Sequence, residues 1–471
     1  MKDQKTISIS GDAVAVPEPE PTECPALVIA WSSEEPRRVG EIALFGDRGA
    51  TQTLGRGEGD GEPRVRFFCQ RPGRLTPAEP LAGVALSRQQ LTVSPSRVGI
   101  EIERMGRCAL LVNGSPAEKA HLAPGDTLHL RGQLLLFCTR RFRSIPKAVY
   151  FGERSLGDFG EPDAAGILGE TPAVARLRED IAFAAHAARH VLLHGESGTG
   201  KELAARAVHE LSARKAKAFV SRNAATLPSG LIDAELFGNA KNYPNPGMAE
   251  RAGLIGQADG GTLFLDEIAE LPFEQQAHLL RVLDSDGEYQ RLGDSITRRS
   301  AFTLVAATNR DIGALKHDVA ARLALRIELP SLDSRREDIP LLVRHLLLTA
   351  AKRSPQIAGR FVFGPTGGRA EARVDPALVE ALLTREYETN IRELDALLWR
   401  AMAASPGDTV MMTDELRREP QSTPRASEPG AEQIRAALDQ ANGSVSGAAR
   451  ALGVKSRFAL YRMMKKHGIG A

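Results

Sequence analysis

The sequence predicts a multidomain chain: an all-β sandwich, then an α/β block with a small helical lid, then a small all-α helix-turn-helix. Three patterns carry that prediction. Short apolar runs broken by Gly, Pro and Asp fill the stretch from Ala26 to about Phe142. Apolar runs alternate with helical periodicity from Thr171 to about Leu332, as a parallel sheet covered on both faces requires. Residues 431–471 read as short helices separated by tight turns.

At 471 residues the chain has room for about three domains of ordinary size. Its 61 Lys and Arg against 59 Asp and Glu leave a formal net charge of +2. No overall field selects nucleic acid, so any such contact must rest on a local patch. No apolar run approaches the ~20 residues of a membrane span, and Met1 to Lys5 lead into polar, Pro-bearing sequence, not a signal h-region. The expectation is a cytoplasmic protein with no membrane partner. Cys24, Cys69, Cys108 and Cys138 are too widely separated for paired metal-ligand spacing and read as reduced, partly buried thiols.

Residues 1–24, with Pro17, Pro19 and Pro21, read as a disordered leader. The β region, 25–142, shows apolar runs at Ala26 to Ala30, Val65 to Phe68, Val98 to Ile102, Ala109 to Val112, Thr127 to Leu130 and Leu134 to Phe137. Asn113-Gly114 and Pro124-Gly-Asp126 supply turns, and the spacing predicts a sandwich. Leu54-Gly55-Arg56, Leu86-Ser87-Arg88, Val112-Asn113-Gly114 and Leu122-Ala-Pro-Gly-Asp126 resemble a forkhead-associated domain, a reader of phosphothreonine peptides. The resemblance implies that Arg56, Ser87 and Arg88 surround the phosphate of a phosphothreonine-containing protein. Guanidinium forks and a hydroxyl suit such a dianion. Gln90 stands where that family has histidine, and its asparagine is replaced near Cys108. The alternative is a sandwich that keeps the fold and makes protein contacts without reading phosphate.

Residues 143–165, with Pro146, Gly157 to Gly160 and Pro162, read as a linker, and Thr171-Pro172 as a helix start with an N-cap threonine and proline in the first turn. The core, 166–335, offers strand candidates at Val191 to Leu193, Ala218 to Val220, Thr262 to Leu265, Thr303 to Ala306 and Ile327 to Leu329. After the first of these comes Gly195-Glu196-Ser197-Gly198-Thr199-Gly200-Lys201-Glu202, opening a helical pattern that reaches Leu211. Strand, glycine-rich turn and helix in that order make a P-loop. Its backbone N–H groups and helix N-terminus attract phosphate, and Lys201 reaches the terminal phosphates of ATP. Glu202 stands where the strict pattern has Ser or Thr to help hold Mg²⁺. Thr262 to Leu265 runs into Asp266 and Glu267, one carboxylate to hold Mg²⁺ and one to orient water.

Ile167-Leu-Gly-Glu170, the P-loop with Glu202, Glu235-Leu-Phe-Gly238, Gly260 to Ile268, Ala306 to Asp311, Arg335 to Pro340 and Asn390-Ile-Arg-Glu-Leu394 together resemble the AAA+ ATPase domain of bacterial enhancer-binding proteins, the activators of sigma-54 RNA polymerase, over about 166–405. The resemblance implies that Asn223 restrains Glu267 until ATP binds, that Thr308 and Asn309 sense the γ-phosphate, and that Arg392 of the lid reports nucleotide state. It implies that Arg322 is an arginine finger offered to the adjacent subunit, and hence a homo-oligomeric ring, a hexamer. A second family arginine is Lys316 here. Where family members carry Gly-Ala-Phe-Thr-Gly-Ala, the loop that touches sigma-54, this chain has Asn242-Tyr243-Pro244-Asn245-Pro246-Gly247. Tyr243 could supply an aromatic tip, while two prolines change the loop's shape.

Residues 336–405 read as the helical lid and 406–430 as a second linker rich in Ser, Pro and Glu. Ala431 to Ala441, Val445 to Leu452 and Ser456 to Lys466 read as three helices, with Asn442-Gly443 and Gly453 at the turns. Seven Lys or Arg residues against two Asp or Glu make this segment basic, which suits DNA phosphates. Ala448 to Gly453 and Leu460-Tyr-Arg462 resemble a Fis-type DNA-binding domain, with Ser456, Arg457, Tyr461, Arg462, Lys465 and Lys466 as the residues facing an enhancer-like upstream site. The alternative is a helical dimerisation bundle with a solvated basic face.

Taken together, these patterns describe an ATP-dependent DNA-binding regulator that remodels sigma-54 polymerase under a phosphothreonine-reading input. The competing account is a DNA-binding regulator that binds ATP but acts without sigma-54.

Overall fold

The computed structural model describes residues 23–46, 49–58, 63–96, 99–284, 287–364, 370–418, 431–441, 445–452, 460, 464 and 469. The chain divides into two compact units, one taking residues up to Ala164 with Gly169–Glu179, the other Ala165–Leu168 with the chain from Asp180 onward.

In the first unit β1 (Glu23–Ser32), β2 (Ile42–Leu44), β3 (Gln52–Leu54), β4 (Phe68–Arg71), β5 (Arg74–Pro77), β6 (Leu91–Pro95), β7 (Ile100–Arg104), β8 (Leu110–Val112), β9 (Ser115–Ala117), β10 (Lys119–Leu122), β11 (Thr127–Leu130) and β12 (Leu134–Phe142) form two sheets. One is eight-stranded, β5-β4-β2-β1-β12-β11-β8-β9, and the other four-stranded, β10-β7-β6-β3. Leu27, Ile29, Leu91, Val93, Ile100, Ile102, Leu128 and Leu136 fill one shared core. The Asn113-Gly114 turn joins β8 to β9 with both residues at positive φ, 49° and 75°, the two-residue hairpin that matches strand twist. Asn113 is held there by Asp126, its Nδ2 donating to Oδ1 at 2.9 Å. The four cysteines are free thiols, and burial pushes that of Cys138 up to about 12.

The segment read as a linker contains one short 3-10 turn, Glu153–Ser155, among its described residues. Charged side chains fasten it within the first unit. Glu179 accepts backbone N–H bonds from Val149, Tyr150 and Phe151, and Arg178 pairs with the fully buried Asp163 at 2.7 Å.

In the second unit the sheet is β13 (Val191–His194), β14 (Phe219–Asn223), β15 (Thr262–Asp266), β16 (Thr303–Thr308) and β17 (Leu325–Glu328), all parallel, in the order β14-β15-β16-β13-β17. All five strand candidates lie on or overlap these strands, because a parallel sheet buried on both faces is written as continuous apolar runs. The helices are α1 (Pro172–Ala187), which begins in the first unit, α2 (Lys201–Leu211), α3 (Ile232–Phe237), α4 (Gly253–Gln257), α5 (Phe273–Leu283) and α6 (His317–Arg322). The lid comprises α7 (Ile339–Arg353), α8 (Pro376–Thr384), capped by Asp375, and α9 (Asn390–Ala404). Beyond a short helix α10 (Asp414–Arg418), α11 (Ala431–Gln440) and α12 (Val445–Ala451) share a small core of Ile434, Ala437 and Ala448 with Leu460 and Met464. Ser456, Arg457, Tyr461, Arg462, Lys465 and Lys466 lie outside the described residues.

Candidate nucleotide site and its surrounding loops

The P-loop leaves β13 at Gly195, whose N–H is tied to Thr308 O at the end of β16. Gly198 and Gly200 take φ of 77° and 99°, conformations that side chains resist, so the loop can curl before α2 begins. Lys201 is 8% exposed and its Nζ donates to the carbonyls of Gly195 (2.9 Å) and Glu196 (3.1 Å). It also stands 3.9 Å from Glu267 Oε1. Burial pulls the Lys201 pKa down, opposed by Glu267 and Asp266. Glu202 is exposed and turned along the helix to Arg206, at 2.9 Å.

Asp266 closes β15. Its Oδ1 accepts the N–H of Glu267 at 3.0 Å, leaving Oδ2 with only a 3.5 Å contact to Asn223 Nδ2. Glu267 sits at φ 51°, ψ 45°, a left-handed turn that aims its carboxylate at the Asn309 N–H, 3.3 Å away. The Asn223 amide leans on Asp266 and its Oδ1 caps Ala225, while the Asn309 N–H meets the Glu267 carboxylate. Thr308 is fully buried with its hydroxyl accepting the Arg310 N–H, so it supports the strand end from behind.

The lid meets this loop through two residues of α9. Arg392 Nη1 donates to Ser197 Oγ at 3.0 Å, and Asn390 Nδ2 donates to Glu196 Oε2 (3.1 Å) and Ser197 O (3.0 Å). Asn390, 1% exposed and at φ 52°, also accepts the Leu332 N–H at 2.6 Å. The sequence alone assigns Asn390 no role, although the residue opens the Asn390-Ile-Arg-Glu-Leu394 motif. The resulting cavity, about 620 Å³, brings Ser197, Lys201, Asn223, Asp266, Glu267 and Arg392 together. His345, Arg353, Asp395 and Trp399 of the lid also line it, and nothing in the local sequence marked them. Arg322 is not in this lining; its Nε donates to Asp284 Oδ1 at 2.5 Å.

The loop after α3 is fastened on itself. Asn239, 3% exposed, donates from Nδ2 to the carbonyls of Ala240, Tyr243 and Ala249 at 3.0, 3.3 and 3.0 Å. Asn242 Oδ1 accepts the Gly247 N–H, and the Asn242 N–H donates to Met248 O. The Tyr243 ring lies against Gly293, where any Cβ would fall 2.3 Å from it, and the side chain remains 40% exposed. Pro244 and Asn245 are exposed. Tyr243 is thus a packed ring on a closed loop, where the sequence allowed a projecting tip.

On the sandwich, Arg56, Ser87 and Arg88 stand on adjacent loops. The Arg56 N–H donates to Ser87 O, and a Cβ on Gly55 would fall 2.1 Å from Arg88 O. Gln90 is fully buried and braces them, its Oε1 accepting the Ser87 and Cys108 N–H groups and its Nε2 donating to Cys108 O.

A P-loop on a parallel five-stranded sheet, two carboxylates at the neighbouring strand end and a helical lid touching the loop define an AAA+ nucleoside triphosphatase domain. Residues 167–332 match the Sigma-54 interaction domain family and residues 333–433 the AAA+ ATPase lid domain family. Over 317 residues the chain is 36% identical to the transcriptional regulatory protein ZraR of Salmonella typhi, covering 64% of this chain and 68% of that protein. It is 37% identical over 258 residues to a Nif-specific regulatory protein of Bradyrhizobium diazoefficiens, covering 53% and 42%. Among solved structures, NtrX from Brucella abortus with ADP is 28% identical over 65% of this chain and 70% of that one, with a TM-score of 0.47. The chain belongs to the sigma-54-dependent transcriptional activator family.

Proposed function

We propose that the chain hydrolyses ATP at the interface between subunits of a homo-oligomeric ring, a hexamer, and uses that work to remodel sigma-54 RNA polymerase at promoters it reaches through DNA. The observation that carries this reading is the convergence of Lys201, Asp266, Glu267 and Arg392 on one cavity between core and lid. Lys201, now held by two carbonyls, would exchange them for the terminal phosphates of ATP. Glu267 would orient the attacking water, and Arg322 of a neighbouring subunit would leave Asp284 to stabilise the charge on the transferring phosphoryl group. Asp266 fits a Mg²⁺ ion, since Oδ2 lacks a close partner and this ion takes one or two carboxylates with phosphate oxygens and water. When bound, that ion offsets charge on the phosphate oxygens.

The C-terminal helices would place Ser456, Arg457, Tyr461, Arg462, Lys465 and Lys466 against an enhancer-like site, and the sandwich would gate the ATPase by binding a phosphothreonine-containing protein through Arg56, Ser87 and Arg88. No helix among the described residues is long and apolar enough to cross a membrane, and the proposed work takes place in the cytoplasm. A second reading draws on the loop fastened by Asn239: a closed loop with Tyr243 packed on Gly293 favours a regulator that acts without the usual sigma-54 contact. In vitro transcription from a target promoter, with sigma-54 or the housekeeping sigma factor supplied separately, decides between them. Activation with sigma-54 that is lost in Glu267→Gln supports the first reading; activation with the housekeeping factor alone supports the second.

A further inference from the structure

The loops that carry Arg56, Ser87 and Arg88 hold more positive charge than one phosphate can use. Arg64 Nη1 donates to the carbonyls of Arg88 (2.6 Å) and Arg56 (3.5 Å), and the Arg107 N–H donates to Ser87 Oγ at 3.2 Å. The backbones of Arg56, Arg88 and Arg107 therefore meet at Ser87, and the Arg64 guanidinium clamps two of those loops from the side. Arg104, close by in sequence, is already neutralised by Glu118 at 2.7 Å. No described carboxylate pairs with Arg56, Arg64, Arg88 or Arg107, and the Nε atoms of Arg56 and Arg64 are buried without a hydrogen-bond partner. Like charges gathered with unmet donors are costly unless an anion joins them.

A phosphate monoester carries about −1.5 to −2 near neutral pH and is matched by two guanidinium forks with a hydroxyl. Arg56, Ser87 and Arg88 meet that need. Arg64 is occupied with clamping the two loops, which leaves Arg107, whose side chain is exposed and whose backbone N–H is held at Ser87 Oγ. We propose that this is a double-anion site: it takes a phosphothreonine with a second phosphate close to it in the same peptide segment, and Arg107 holds the second phosphate. The proposal rests on the phosphopeptide reading of Arg56, Ser87 and Arg88 and extends it to the class of peptide selected.

The test uses the full chain and a phosphothreonine peptide library randomised at the flanking positions. It is compared with the unphosphorylated library, with libraries carrying phosphoserine at each neighbouring position in turn, and with the same libraries carrying glutamate there. A second phosphate at a favoured position should tighten binding by about tenfold, glutamate by less, and the gain should shrink as salt is raised. Arg107→Ala should lose the gain while keeping its affinity for the singly phosphorylated library, and Arg107→Lys should recover part of it. An equal gain in Arg107→Ala, or no gain in the native chain while single phosphothreonine binds, overturns the double-anion site and leaves the phosphothreonine reading standing. Failure of every phosphorylated library to bind better than the unphosphorylated one overturns both.

Discussion

The nucleotide cavity and the loop fastened by Asn239 belong to the same unit, yet they are specified in different ways. The cavity is built on backbone: glycines at positive φ, strand ends in a parallel sheet and a helix that starts at Lys201. The loop's shape depends on one buried side-chain amide bonded to three carbonyls. The first kind of site keeps its chemistry wherever its pattern is kept. The second can be reshaped by a few substitutions while the fold around it stays, so ATP handling and partner contact can diverge within one domain.

The largest effects are expected at the cavity. Glu267→Gln should lower ATP turnover by roughly 10²-fold or more with nucleotide binding retained, measured as phosphate release beside equilibrium binding. Lys201→Met should abolish nucleotide-dependent thermal stabilisation, since it removes the cation that reaches the phosphates. Burial lowers the Lys201 pKa, so the folded state disfavours the ammonium, a penalty present in full below the folded pKa and relieved as pH rises through it. Without nucleotide, the native chain should therefore gain stability relative to Lys201→Met as the pH is raised through that range. A relative stability that falls over that range contradicts the lowered pKa.

Asn390→Ala comes next, since it removes the amide that joins the lid to Glu196 and Ser197 and leaves the buried Leu332 N–H without its acceptor. A loss of about 1–3 kcal/mol in stability is expected by chemical denaturation, together with weaker nucleotide binding. Asn239→Ala should cost about as much locally but spare ATP turnover, with limited proteolysis cutting the loop faster. Loss of ATP turnover in that variant would erase the distinction between the two regions. The smallest effect is Tyr243→Ala, whose half-exposed ring contributes about 1 kcal/mol or less to stability. Its consequence should appear only in transcription.

The sheet and the P-loop were legible in the sequence because both are written locally: continuous apolar runs give the buried strands, and glycine spacing gives the turn. In the sandwich, β7, β8, β11 and β12 follow apolar runs, but β6, Leu91–Pro95, escaped although its residues alternate buried and half-buried. Short runs with Thr and Ser on one face look like loop until a partner strand is known. The roles of Asn390, Asn239 and Gln90 were not legible, because each acts through carbonyls or amides brought near only by folding. The pairing of Asn223 with Asp266, and not with Glu267, was hidden for a related reason: it depends on Glu267 taking a left-handed turn that no local pattern announces.

In the proposed ring the site is completed by a neighbouring subunit. Mixing the Lys201→Ala and Arg322→Ala full-length variants tests this, since one lacks the phosphate lysine and the other the proposed finger. Hydrolysis should be absent in each alone and return when the two are combined, because a mixed ring contains junctions with an intact P-loop facing an intact Arg322. A mixture that co-assembles yet stays as inactive as its parts would contradict the account.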